Sequence, residues 1–160
     1  METYQLEIKW GVIFTIALIM RALLERLVGL HYTYIALHPT LTMLFAIVAI
    51  AIYVVALRSI RATRPEFTYK HAFISGGIIT LVVTVLSPLT QWFIHHIVTP
   101  DFFTNAKIYA IDAGSYTPAE ADAYFNFNNY LWQSALGALV MGVLTTSIVA
   151  IFVSRNNIQK

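Results

Sequence analysis

Arg21 and Glu25 stand four residues apart inside a long apolar run, a spacing that puts both on one helix face, with Arg26 turned about 100° from Glu25. An arginine at the centre of a membrane helix costs about 2.5–3.5 kcal/mol. Something must offset that cost: Glu25 locally, helix tilt with the side chain reaching outward, or a polar partner such as Gln91 on another helix. A structural ion pair is the expected reading. The alternatives are an ion, proton or substrate path using Arg21, Glu25, Gln91 and His95, and a clamp to another subunit. Arginine before glutamate is the weaker order within a helix, which favours contacts to a neighbouring helix.

The histidines are the other chemical material. His31, His38, His95 and His96 all fall near one membrane face, with Asp101 close by. Neutral imidazoles and carboxylates suit zinc or copper. The spacing is nonspecific, since adjacent histidines on a helix diverge by about 100° and no three- or four-residue histidine pair occurs. Histidines at the interface without a ligand are therefore expected, and no cofactor. Haem is disfavoured because facing axial histidines within a bundle are lacking. His71 belongs to the opposite face, beside Lys70. No nucleophile elbow, phosphate loop or HExxH helix is present, so no catalytic residue is assigned and a non-enzymatic protein is expected.

The elements that carry these residues follow from composition. Only 11% of the 160 residues are charged and 58% are hydrophobic. That is too little charge to cover a water-facing surface, so lipid must cover most of it. Cysteine is absent, which excludes disulfides and thiolate metal sites. No basic surface for nucleic acid exists. A helix needs about 20 residues to cross the hydrocarbon, and four stretches qualify: Trp10–Leu30, Leu37–Leu57, Ala72–Ile97 and Tyr130–Val153. The first is interrupted by Arg21, Glu25 and Arg26. It is expected to be a retained span, because Met1–Lys9 is not positively charged and no small-residue cleavage site follows.

Orientation follows from basic residues. Lys9, Arg58, Arg61, Arg64, Lys70, Arg155 and Lys160 fall on one side, and Lys107 alone on the other, among Asp101, Asp112, Glu120 and Asp122. The expected architecture is one all-α integral membrane domain over 1–160 with four transmembrane helices. Both termini are cytoplasmic, and short helices occupy an extracytoplasmic segment over 98–129. Within it, Thr99-Pro100-Asp101 predicts a helix start and Gly114 a stop. Thr117–Glu120 predicts a capping box opening a helix over Pro118–Phe127. This segment is expected to lie as a cap on the outer face; a partner- or ligand-binding surface is the alternative.

Small residues recur every four positions on two spans: Ala72, Gly76, Thr80, Thr84 and Pro88 on the third, and Ser134, Ala138, Gly142, Thr146 and Ala150 on the fourth. Helices in lipid associate through such close approach, so packing within the chain is expected there. Pro88 frees the carbonyl of Thr84, and hydroxyls of Thr84 or Ser87 could restore its polarity.

Several residues in order resemble a bacterial membrane family, domain of unknown function 4199, found chiefly in Bacteroidota. They are the basic stretch after the second span, Phe67-Thr68-Tyr69-Lys70-His71-Ala72-Phe73 followed by Gly76, then Thr99-Pro100-Asp101-Phe102, the Thr117–Glu120 start and a glycine-containing last helix. His71 departs from the polar amide usual there. The resemblance covers roughly Arg58 to Arg155; it implies a four-helix bacterial inner-membrane architecture and transfers no catalytic residues. The leading functional expectation is an accessory or assembly subunit in contact with a protein partner, or a homo-oligomer, with lipids as the other partner. A small-solute or ion transporter and a metal-binding membrane protein are the alternatives.

Overall fold

A computed structural model describes residues 4–154, and among these every regular element is helical. The order is α1 (Gln5–Leu27), a 3-10 turn (Ile35–Leu37), α2 (His38–Met43), α3 (Phe45–Arg61), α4 (Tyr69–Phe93), a π-helical turn (Ile94–Val98), α5 (Phe102–Asp112), α6 (Pro118–Tyr124) and α7 (Phe127–Ser154). Arg155 and Lys160, counted above for orientation, lie outside the described residues.

Three segments are long and apolar enough to cross a membrane: Ile35–Arg61, Tyr69–Val98 and Phe127–Ser154. The expected first span is not among them. Helix α1 has the length, but Glu7, Lys9, Arg21, Glu25 and Arg26 load it with charge. It also begins at Gln5 and ends at Leu27, earlier than Trp10–Leu30, because Gly29 takes a left-handed φ of +82° and turns the chain. The second span is interrupted at Leu44, between α2 and α3, where the backbone stays in the helical region.

Helix α4 is central, with its largest interface against α7 and its next against α1. The α4–α7 contact is built on the small residues. A Cβ on Gly76 would lie 2.4 Å from Thr146 Cγ2, and one on Gly142 would lie 2.4 Å from Thr80 Cγ2. The two glycines therefore receive two threonines reciprocally across the interface, which lets the backbones approach closely. Ser87 and Ser134 hydroxyls share a hydrogen bond of 2.9 Å, and Tyr53 Oη reaches Thr80 Oγ1 at 2.7 Å. Ala138 is partly buried against the core. Helix α4 runs on through Pro88. Ser87 is committed to Ser134 and the Thr84 hydroxyl is buried without a hydrogen-bond partner, so neither is seen to satisfy the freed carbonyl. The core proper gathers Phe14, Tyr53, Leu57, Ile60, Phe67, Ile79, Val83, Val149 and Val153.

The segment over 98–129 departs from expectation at two joints. Thr99 is not the cap of α5: its N–H and hydroxyl both donate to the Ile94 carbonyl, at 2.7 and 3.2 Å, to close the π turn. Helix α5 therefore starts at Phe102, with Asp101 at the cap position making no side-chain cap bond. Helix α6 does open with the Thr117–Glu120 capping box, but stops at Tyr124. Asn126 then caps a new helix by accepting from the Asn129 N–H at 2.9 Å, so α7 begins at Phe127.

Candidate functional site

The candidate site lies where α1 ends. Leu30 N–H donates to the Glu25 carbonyl at 2.9 Å and Gly29 N–H to the Arg26 carbonyl at 3.0 Å, the paired bonds of a Schellman motif. Only a residue tolerant of positive φ fits at position 29. The motif turns the chain over the helix end and brings His31 back above Glu25. His38 opens α2, with Pro39 in its first turn. Thr42, one turn later, shares the face of His38.

Those residues converge on one carboxylate. Glu25 Oε2 lies 3.5 Å from His31 Nε2 and 3.7 Å from His38 Nε2. Its other oxygen is held from outside the triad: Thr42 Oγ1 donates to Oε1 at 2.8 Å, and Arg21 Nη1 is 3.5 Å away. Glu25 and His31 are buried and His38 is half-buried. One ligand atom from each of Glu25, His31 and His38 fits within a mutual separation of 4.8 Å. Two imidazoles and a carboxylate are a donor set for zinc and other divalent transition metals that leaves coordination positions open. Thr42 and Arg21 orient the carboxylate as outer-shell partners do in metal sites.

The cap closes over this group. Phe102 of α5 lies against the rings of His31, His38 and His95 at centroid distances of 5.5, 5.1 and 5.3 Å. Asn105 Nδ2 donates to the His31 carbonyl at 2.9 Å. Arg26 reaches across to the Val98 carbonyl, tying the end of α1 to the π turn.

The other expected site residues are dispersed. His95 is enclosed by Phe102, Phe103 and Tyr130. His96 stacks on Trp92 at 5.4 Å and pairs with the Trp92 carbonyl. Asp101 is exposed at the start of α5. Gln91 is half-buried on α4 and makes no hydrogen bond to Arg21. His95, His96 and Asp101 thus drop out of the donor set, and Glu25 joins His31 and His38. The signal was present but split: the sequence pattern pairs Glu25 with Arg21, whereas the glycine stop at residue 29 folds His31 back onto it.

A second polar cluster was not anticipated. Glu7, about 1% exposed, takes Arg64 Nη2 at 2.7 Å and the Ser75 hydroxyl at 2.8 Å on the same Oε1. Arg64 Nη1 also reaches Ser75 Oγ at 3.1 Å. Sequence separations of 57 and 68 residues left no local pattern to read.

A family model described as "Protein of unknown function (DUF4199)" matches residues 9–155. No curated protein and no solved structure matches the chain.

Proposed function

The chain belongs to the DUF4199 family, and on that footing we propose a four-crossing membrane protein, non-catalytic, that binds a divalent transition-metal ion through Glu25, His31 and His38 beneath its external cap. The observation that carries the metal reading is the convergence of one carboxylate oxygen and two Nε2 atoms while the second oxygen is tied elsewhere. The fourth crossing is α1. Its 23 residues reach about 34 Å at 1.5 Å per residue. Ile8, Val12, Ile16, Met20, Leu24 and Leu27 form an exposed apolar stripe, while Glu7 and Glu25 turn inward. Both termini then lie on the cytoplasmic side with Arg58, Arg61, Arg64 and Lys70, in keeping with the basic-residue rule.

The polar groups of α1 do not favour a transport path. Phe14, packed edge-on against Phe45 and Tyr53, separates the Glu7 cluster from the Glu25 cluster.

Zinc binding to protein purified without chelators tests the metal reading. One ion per chain is expected by elemental analysis. Glu25→Gln and His31→Ala should each abolish it, and Thr42→Val should weaken it by about 10–100-fold, as for other outer-shell groups. Equal zinc content in wild type and His31→Ala would overturn the reading.

An accessory-subunit role is supported by a separate feature. An apolar furrow of about 350 Å³ between α4 and α7 is lined by Phe73, Gly77, Leu81, Leu139 and Val143. A Cβ on Gly77 or Gly137 would meet no neighbour, leaving room for a further helix. A stoichiometric partner or a homo-oligomer is expected after mild solubilisation from native membranes. A lone monomer counts against it.

A further inference from the structure

A buried metal site must be reached from somewhere, and two approaches to Glu25, His31 and His38 are closed to an ion. Toward the cytoplasm, one turn earlier on α1, stands the positive charge of Arg21. Its guanidinium lies 5.3 Å from the Phe45 ring centroid, and the Phe14 ring packs edge-on against Phe45. Toward the lipid, the furrow between α1 and α3 is walled by Met20, Leu24, Leu41 and Leu44, an apolar route that a bare ion does not cross. The third approach is through α5. There Phe102, itself buried, sets its ring against both ligand imidazoles, while its sequence neighbour Asp101 is exposed. His38 alone of the three ligands keeps appreciable exposure, 20% of its side chain, so an entering ion meets it first. Helix α5 is lightly seated. Besides Phe102 its buried face offers Ala106 and Ala110, which bury little apolar area. Its first turn has no side-chain cap bond, and Asn105 holds it to the His31 carbonyl. An element with so few buried contacts opens locally at low cost.

We infer that the ion enters and leaves from the external side past α5, and that Phe102 determines the rate as the stopper between solvent and the three ligands. The ion held here is then drawn from extracytoplasmic metal, and α5 must lift before it exchanges. The inference rests on the metal reading and on the external placement of the cap. It adds the side from which the site is loaded and a residue, not itself a ligand, that governs loading.

The test follows zinc association and release by stopped flow, on the full chain in nanodiscs, with a zinc-responsive chelating dye. A cover that must open slows both directions alike. Phe102→Ala should therefore speed association and release together, several-fold each, and leave Kd nearly unchanged. Phe102→Leu, which keeps an apolar stopper, should stay close to wild type. Asn105→Ala loosens α5 without touching the ring and should raise both rates to a smaller extent, whether or not Phe102→Ala folds. Faster release alone, with Kd weakened to match, would overturn the inference by showing that Phe102 only packs the ligands. Equal rates in all four proteins would overturn it while leaving the metal site intact. No zinc on the wild type would overturn the metal reading and this inference with it. Sidedness is read in sealed right-side-out vesicles. EDTA outside should strip Phe102→Ala several-fold faster than wild type, and EDTA trapped inside should strip neither. Stripping by internal EDTA alone would overturn the external route.

Discussion

Glu7 and Glu25 lie toward opposite ends of one helix, and each is held by groups distant in sequence. Breaking either set leaves a buried carboxylate without its cation or donors, an effect of roughly 3–5 kcal/mol for a fully buried pair. For Arg64→Ala the expected outcome is a loss toward the lower end of that range, because the Ser75 hydroxyl stays on Glu7. Thermal unfolding in detergent measures it, and Glu7→Gln should cost less because the charge it leaves unpaired, that of Arg64, is only part-buried. The Arg21–Glu25 spacing was readable as a helical pair because it is local. The roles of His31, His38 and Thr42 around the same carboxylate were not, since they depend on a chain reversal at Gly29 and on where α2 docks.

Among the elements, the α4–α7 seam and the cap invite contrasting substitutions. Gly76→Ala and Gly142→Ala would each force a Cβ to within 2.4 Å of a threonine methyl, and should destabilise by about 1–3 kcal/mol. Gly77→Ala and Gly137→Ala meet nothing and should be neutral or stabilising by up to about 1 kcal/mol in an isolated chain. The same four variants assayed for partner recovery separate the two faces of these helices. In the cap, the Thr117 backbone N–H and hydroxyl donate to Glu120 and hold its carboxyl below the usual carboxylate range. A depressed carboxylate stabilises above its ordinary pKa and loses that contribution as pH falls through the lowered one. Amide protection in α6, corrected for the intrinsic exchange rate, should fall only in acid, and Thr117→Ala should cost about 1 kcal/mol at neutral pH. That capping box was legible because its four residues are contiguous. The break at Leu44 falls on a residue that is neither glycine nor proline and so is not announced, and the π turn is set by how Thr99 closes on Ile94.

At the scale of the molecule, the absence of cysteine makes orientation directly measurable. Thr63→Cys, in the basic connection between α3 and α4, should resist a membrane-impermeant maleimide on intact cells, and Ser115→Cys in the cap should react. The reverse pattern would invert the proposed topology. Hydropathy was enough to read a helical chain with membrane-length segments, but not to decide whether α1 counts among them. That decision turns on which way its charged side chains point. The π turn at Ile94–Val98 has a consequence of its own. It holds one residue more than an α-helical rung would need, so it works as a spacer. Deleting a single residue there would let the ladder close as an ordinary helix, swinging everything beyond by about 100°. Arg26 would lose the Val98 carbonyl, Asn105 would leave His31, and Phe102 would come off the histidines. One surplus residue in a span thus keeps the cap in step with the end of a helix it never touches in sequence.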